Sequence, residues 1–207
     1  MYRLGRAAAL ALCAACGPAA AWSPRALFAP CAGDCAVAVY GGNYVEDSMI
    51  DVLLNEPELP PTWDYKDDHI AAVAVSRDAA TLLGRLHLEP ELGVARRFGA
   101  QHATELWGAL FLRYRGFPWD GLVTTTVAVS TGLNWASGIT DVERDRARDG
   151  EGARWMHFFS PEVTFALPSR PRTELLFRFH HRSGAYGLLN DAHGGAQYGT
   201  VGLRLRF

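Results

Sequence analysis

The alternation of apolar and polar side chains in the last segment of the chain, Ala196–Phe207, constrains the fold most strongly. The apolar positions are Val201, Leu203, Leu205 and Phe207, and the positions between them are Gly202, Arg204 and Arg206. Successive side chains of a β-strand point to opposite faces, so this pattern predicts a strand with one apolar and one charged face. Such a strand fits either a soluble sheet over a core or a membrane barrel whose apolar face meets lipid.

The first 21 residues have the features of an export signal. Arg3 and Arg6 precede an apolar run over residues 7–15, and the small residues 17–21 offer a cleavage site before Trp22. The run is too short to cross a bilayer as a helix. The expected segments are a cleaved signal peptide (1–21), a periplasmic N-terminal segment (22–35) and a folded domain (36–207). Export combined with an amphipathic last strand favours an outer-membrane β-barrel.

The charge and the cysteines of the exported chain exclude some functions. Removing Arg3 and Arg6 from the 20 basic residues leaves 18 against 22 acidic residues, a net charge of −4. This mild acidity without a basic tract argues against a nucleic-acid partner. Two cysteines remain, Cys31 and Cys35, and in an oxidising periplasm they could form a small disulfide or stay as two thiols without a catalytic role.

Segments of alternating hydrophobicity recur at intervals of roughly twenty residues, separated by Gly, Pro, Asp and Asn. The segments are Ala36–Val45, His69–Ser76, Leu83–Phe98, Glu105–Arg115, Leu122–Trp135, Arg154–Leu167, Thr173–Ser183 and Ala196–Phe207. Their count is even, as a bacterial single-chain barrel requires. The predicted fold class is therefore all-β, an eight-stranded antiparallel transmembrane β-barrel of the bacterial outer membrane. Eight strands leave an interior that side chains fill, and not a solute channel.

The third segment indicates that the charged faces point to a wet lumen or to solvent. Four ionisable side chains share one of its faces: Arg85, His87, Glu89 and Glu91. Such a row could not face a dry apolar core without a large desolvation cost. Six aromatic side chains fall mostly near predicted strand ends, where an interfacial girdle would lie: Trp107, Trp119, Trp135, Trp155, Tyr114 and Phe117. The polar segment 141–152 is expected to form a long external loop, or two strand ends that extend above the membrane.

The seventh segment, Thr173–Ser183, places a histidine and a serine on the apolar row. Alternation puts His181 and Ser183 with Phe179, and puts the charged side chains of the segment on the opposite face. The last strand descends to the periplasmic rim, so the seventh ascends and carries the pair to the external rim. Their β-carbons stand roughly 7 Å apart, and an imidazole at that spacing can act as general base for a hydroxyl. The alternative is that both are ordinary rim residues that contact headgroups and water.

The segment Phe177–Phe207 resembles the lipid A deacylase family known as PagL, a family of eight-stranded outer-membrane esterases of the acyloxyacyl hydrolase type. The shared features are His181-Arg182-Ser183 in the penultimate strand, a Gly/Asn-rich turn (Gly184–Gly195) and a final strand that ends the chain. Upstream of Phe177 the resemblance is only one of architecture. The resemblance over Phe177–Phe207 implies that Ser183 is a nucleophile and His181 its base, and that the substrate is an ester-linked acyl chain of lipid A.

This chain departs from the family pattern at two positions. Where the family has a glutamate that orients the histidine, Gln197 stands here, on the same outward row as Val201. A glutamine can accept the imidazole N–H but cannot stabilise an imidazolium as a carboxylate does, so a weaker triad is expected. Asp191 in the turn is the alternative acid. Gly184 replaces the family's asparagine after the serine, and Asn190 or backbone amides of the turn could supply the oxyanion donors.

The sequence thus predicts an outer-membrane hydrolase of lipopolysaccharide that needs no cofactor, because acyl transfer requires a nucleophile, a base and anion stabilisation. Its expected partners are the lipid A of the outer leaflet and the outer membrane itself, and a homodimer is left open. The second hypothesis is a non-catalytic eight-stranded barrel that acts as a surface or lipid-binding protein. A third is a periplasmic β-sandwich or a soluble lipocalin-like barrel.

Overall fold

The computed structural model describes residues 29–148, 150–187, 189 and 195–207. The strands are β1 (Cys35–Val45), β2 (Tyr65–Arg77), β3 (Ala80–Leu82), β4 (Leu86–Gly99), β5 (Ala103–Arg115), β6 (Thr124–Ala136), β7 (Trp155–Phe159), β8 (Glu162–Ala166), β9 (Thr173–Ser183) and β10 (Gln197–Arg206). A short α-helix, α1, covers Asp141–Asp145, a π-helical turn covers Asp51–Asn55, and 3₁₀ turns cover Pro60–Thr62 and Ala185–Gly187. No helix among the described residues is long and apolar enough to span a membrane. The expected signal peptide lies outside the described residues.

The strands form one closed antiparallel barrel. β10 pairs with β9 on one side and with β1 on the other, which joins the last strand to the first. β3 continues β2, since both pair with β4. β7 and β8 lie end to end between β6 and β9. Because β2 with β3 and β7 with β8 each occupy one position in the barrel, the ten strands fill eight positions. The all-β, eight-stranded antiparallel fold class is confirmed.

The sixth predicted segment, Arg154–Leu167, is divided where a single strand was expected. The break falls at Ser160 and Pro161, between β7 and β8. Proline has no N–H to donate to a neighbouring strand, so it is tolerated only where the ladder is interrupted. Across the break, the Ser160 hydroxyl donates to the Phe179 carbonyl (2.9 Å) and the Phe179 N–H donates to the Pro161 carbonyl (2.9 Å). Both halves therefore stay attached to β9.

The two faces of the barrel wall follow the alternation of the sequence. Along β4, Glu91 is 4% exposed and its neighbour Leu92 is 66% exposed. The apolar side chains that point outward in the same way include Val73, Val94, Leu106, Leu110, Val129, Leu133, Leu175, Val201 and Leu203. This arrangement inverts that of a soluble sheet, which turns its apolar face to the core. The predicted orientation of the charged and apolar rows is confirmed.

Paired charges and aromatic rings fill the interior. Arg178 donates to both carboxylate oxygens of Glu91 (2.8 Å each) and to Glu162 (2.7 Å), and the Arg178 guanidinium lies over the Phe111 ring. Buried charges persist when they are paired in this way, because unpaired ones carry a large desolvation cost. Trp107 is 3% exposed and stacks on Phe158 inside the barrel. Its assignment to an interfacial girdle was wrong.

The two rims of the barrel differ. One rim, which we call the terminal rim, contains Cys35 and Phe207 and has short turns between its strands. The other, the loop rim, carries residues 46–64 and, of the two later connections, the described residues 137–148, 150–154, 184–187, 189 and 195–196. At the terminal rim Cys31 and Cys35 form a disulfide, and the Phe207 carbonyl accepts the Gly33 N–H (3.1 Å).

At the loop rim, residues 46–64 do not project away from the barrel. This segment, which we call the strap, lies against the outer wall and packs Val52 and Trp63 onto Phe179 of β9. The rings of Trp63 and Phe179 meet edge to face at 5.4 Å between centroids. A β-carbon on Gly199 of β10 would collide with the Trp63 ring, so glycine there makes room for the strap. The strap therefore covers outward residues that would otherwise be exposed.

Candidate active site

The end of β9 positions the histidine and the serine on the outer wall at the loop rim. His181 and Ser183 point outward and are partly exposed, whereas His180 and Arg182 between and beside them are buried in the lumen. Phe179 lies on the same outward row, two residues closer to the terminal rim, and is covered by the strap. The pair therefore lies at the upper margin of the apolar wall, on the row that the alternation predicts.

Gln197 lies beside His181 because the two residues are register partners in the β9–β10 pairing. The Gln197 side chain is buried by the beginning of the strap. Its amide nitrogen donates to the carbonyls of Val45 (3.3 Å) and Asp47. With the amide hydrogens engaged by two backbone carbonyls, the amide oxygen is the group left to accept from a ring N–H.

The imidazole of His181 lies beside Gln197, its register partner on β10. Its Nδ1 is buried and has no hydrogen-bond partner within the described part of the chain. A buried nitrogen without a partner is uncommon in folded proteins. An imidazole held in this way offers Nδ1 as a proton acceptor.

Ser183 does not donate to His181 in this structure. Its hydroxyl oxygen instead accepts the N–H of Ala185 at 3.4 Å, a long hydrogen bond. Catalytic hydrogen bonds are often long or poorly aligned until substrate is present.

The backbone after Ser183 is strained. Ala185 has a φ of +51°, a left-handed conformation that residues with a β-carbon rarely adopt. Such conformations cost about 1 kcal/mol and cluster at functional sites. On the other side, Gly195 lies so close to Arg182 that a β-carbon there would collide with the Arg182 carbonyl. This contact fixes the start of β10 beside Ser183.

The two residues that the sequence proposes for the turn, Asp191 and Asn190, lie outside the described residues. Gly184, where the family has an asparagine, follows β9 directly and its carbonyl accepts the N–H groups of Gly187 and Leu189, both at 3.2 Å.

Arg146 connects the loops around the site. Its guanidinium donates to the carbonyls of Glu46 (2.8 Å) and Gly195 (3.2 Å) and lies over the Tyr44 ring. The strap, the segment before β10 and the segment after α1 are thus tied at one point. Only the strong polarity of residues 141–152 pointed to an interacting loop here, and it did not single out Arg146.

His157 is a site residue that the sequence analysis missed. It lies on β7 directly across from Ser183 in the β7–β9 pairing and points outward. Its Nε2 is hydrogen-bonded to the hydroxyl of Thr131 on β6 at 2.9 Å. Alternation alone could have placed His157 on the outward face. The register with Ser183 required the three-dimensional pairing.

An apolar groove of about 820 Å³ begins below the pair. One side is the strap, and the floor is the outer wall of five neighbouring strands. Its lining includes Leu53, Pro60, Trp63, Val127, Val163, Phe177, Phe179 and Val201. Phe177 and Phe179 belong to the same outward row as His181, and the lining on β9 ends at Phe179, two residues before the imidazole. A hydrocarbon chain matches this lining chemically.

Metal-ligating side chains do not gather at this site. Within the described residues, the grouping of metal-ligand type is Cys31, Asp34 and Cys35 at the opposite rim. Both sulfurs are joined in the disulfide and are therefore not thiolate ligands. The Asp34 carboxylate accepts the Ala32 N–H (2.9 Å) and a guanidinium hydrogen bond from Arg77 (2.7 Å), and these interactions lower the pKa of Asp34.

No family model matches the chain, and no curated protein matches it. Among solved structures, the barrel is similar to the crystal structure of Neisserial surface protein A (NspA). The superposition covers 86% of this chain and 100% of that chain, with 10% sequence identity and a TM-score of 0.49.

Proposed function

We propose that this chain is an outer-membrane serine esterase that removes an ester-linked acyl chain from lipid A. The observation that carries the proposal is the position of one imidazole and one hydroxyl on the outer wall, on the same outward row as an apolar groove that ends at Phe179. A histidine and a serine at the margin of an apolar wall have little structural justification. Attack on an ester at the boundary between acyl chains and headgroups does justify it.

The wall itself supports placement in a membrane. Apolar side chains cover its outer face while ion pairs satisfy the charges inside, as in outer-membrane barrels. Trp155 is 58% exposed near the loop rim, where interfacial aromatic residues are favourable. Short turns at one rim and longer segments at the other match periplasmic and external ends. The loop rim, and the pair with it, then faces the exterior.

The reaction requires only groups at the loop rim. His181 accepts the Ser183 proton at Nδ1 as the serine oxygen attacks the ester carbonyl carbon. Collapse of the tetrahedral intermediate breaks the bond to the ester oxygen of the leaving alcohol, and His181 returns the proton to that oxygen. Water, deprotonated by the same imidazole, then hydrolyses the acyl-enzyme, releasing the fatty acid and restoring Ser183.

Gln197 sets the tautomer that this sequence of proton transfers needs. Its amide nitrogen is bound to Val45 and Asp47, so its oxygen accepts from the other ring nitrogen of His181 and leaves Nδ1 unprotonated. An amide carries no charge to stabilise the imidazolium that forms. We therefore expect slower turnover than in the resembled family, whose pattern has an orienting glutamate where this chain has Gln197.

Lipid A is chosen as the substrate because of the sequence resemblance over Phe177–Phe207. The fit of the groove to hydrocarbon supports an acylated lipid in general. A non-catalytic lipid-binding barrel is the second candidate, favoured by the lack of a hydrogen bond between His181 and Ser183 and by the amide at Gln197.

Mass spectrometry of lipid A tests the proposal. Lipid A is extracted from bacteria that express the wild type, Ser183→Ala, or Ser169→Ala as a matched control at an exposed turn of the terminal rim. We expect loss of one acyl chain with the wild type and the control, and none with Ser183→Ala. Intact lipid A with the wild type, or equal loss with all three chains, would contradict the enzyme and favour the lipid-binding barrel.

A further inference from the structure

We propose that His157 is a further catalytic residue, which donates a hydrogen bond from Nδ1 to the carbonyl oxygen of the ester as negative charge develops there. This inference rests on the proposed esterase activity. It assigns the anion-stabilising role, for which the described residues of the turn offer no side chain, to a histidine on a neighbouring strand.

Strand pairing brings His157 to Ser183. Directly opposed residues of an antiparallel pair have β-carbons roughly 4.5–5.5 Å apart, against roughly 7 Å for residues two apart on one strand. His157 and Ser183 are such opposed residues, and both point outward. The imidazole of His157 is thus attached closer to the serine than that of His181 is.

The His157 ring is held in place. Thr131 on β6 binds its Nε2 at 2.9 Å, and the ring stacks on Phe159 with 6.4 Å between centroids. When the Thr131 hydroxyl donates to Nε2, the ring proton resides on Nδ1. No hydrogen bond engages that nitrogen in the described part of the chain, so it is available as a donor.

The outward polar groups form one continuous row across four strands. In order they are Thr131 (β6), His157 (β7), Ser183 and His181 (β9), and Gln197 (β10). His157 is also close enough to His181 for the two rings to interact electrostatically. The serine therefore has an imidazole on each side. His181 receives its proton, and His157 faces the oxygen that gains charge.

Donors fixed before the reaction toward a developing oxyanion typically contribute about 10²–10³-fold to kcat. The test is the hydrolysis of a p-nitrophenyl fatty acyl ester by purified protein in detergent micelles. The variants are His157→Leu, which removes the donor, His157→Gln, which keeps an N–H donor, and Thr131→Val, which removes the anchor of the ring. His69→Leu is the matched control, because His69 is a histidine on β2 near the loop rim whose contacts are with Asn43, Asp67 and Phe98.

We expect kcat to fall about 10²-fold or more with His157→Leu and about 10-fold with the other two variants, with KM within about 2-fold of wild type. His69→Leu should leave both constants unchanged. An active wild type with His157→Leu within about 3-fold of it would overturn this inference and leave the esterase proposal standing. Wild type without esterase activity would overturn both. If His157→Leu does not fold, as judged by heat-modifiable gel migration, Thr131→Val decides, and an unchanged kcat there overturns the inference.

Discussion

Two adjacent histidines of β9 have opposite environments. His180 points into the lumen, is fully buried, and has a partner at each ring nitrogen: the Tyr40 hydroxyl at Nδ1 (3.0 Å) and the Glu105 carboxylate at Nε2 (3.1 Å). His181 points outward, lies beside Gln197, and keeps its Nδ1 without a partner among the described residues.

The difference separates a stabilising residue from a reactive one. His180 belongs to a network of buried charges in which every removal leaves another group unpaired, so its interactions contribute to the folded state. The free nitrogen of His181 costs stability and is useful only to a group that comes from outside. His180 thus stabilises the fold from the inner face of the wall, and His181, one position later, is placed to react on the outer face.

Exchanging each histidine for alanine tests this separation with the largest expected effects. His181→Ala should reduce ester hydrolysis by about 10²–10⁴-fold through loss of the general base, and change the free energy of unfolding by less than about 1 kcal/mol. His180→Ala should lower that free energy by about 2–4 kcal/mol, because it leaves Glu105 with one partner fewer in a dry interior. Urea unfolding in detergent and the rate per folded molecule give both quantities. Equal effects of the two variants on both would refute the comparison.

Gln197→Glu sharpens the comparison with a smaller effect. The sequence resemblance suggests that a carboxylate here would raise activity. In this structure the amide nitrogen faces the Val45 and Asp47 carbonyls, so a carboxylate oxygen placed there would meet two acceptors and no donor. We expect about 10-fold lower activity and a less stable strap, measured by the hydrolysis rate and by proteolysis within residues 46–64. A rise in activity would mean that the strap does not fix the amide.

The period-two pattern predicted the strands and the two faces of the wall, because in a strand each side chain's face follows from its parity alone. The choice of a membrane barrel over a soluble sheet needed the export signal as well. The same reasoning placed His181, Ser183 and Gln197 on the outward row, and it could have placed Trp107 inside with Glu105, whose parity it shares. Parity could not predict the strap or the pairing of His157 with Ser183. Both depend on contacts between residues that are far apart in the chain.

Covalent labelling of the serine tests the central claim most directly. A long-chain alkyl fluorophosphonate, which modifies activated serines, is added to the wild type in detergent micelles, and intact-protein and peptide mass spectrometry locate the adduct. The account predicts one adduct on Ser183, none on Ser183→Ala, and strongly slowed labelling of His181→Ala. No adduct, or an adduct on another serine, would contradict a reactive serine on the outer wall.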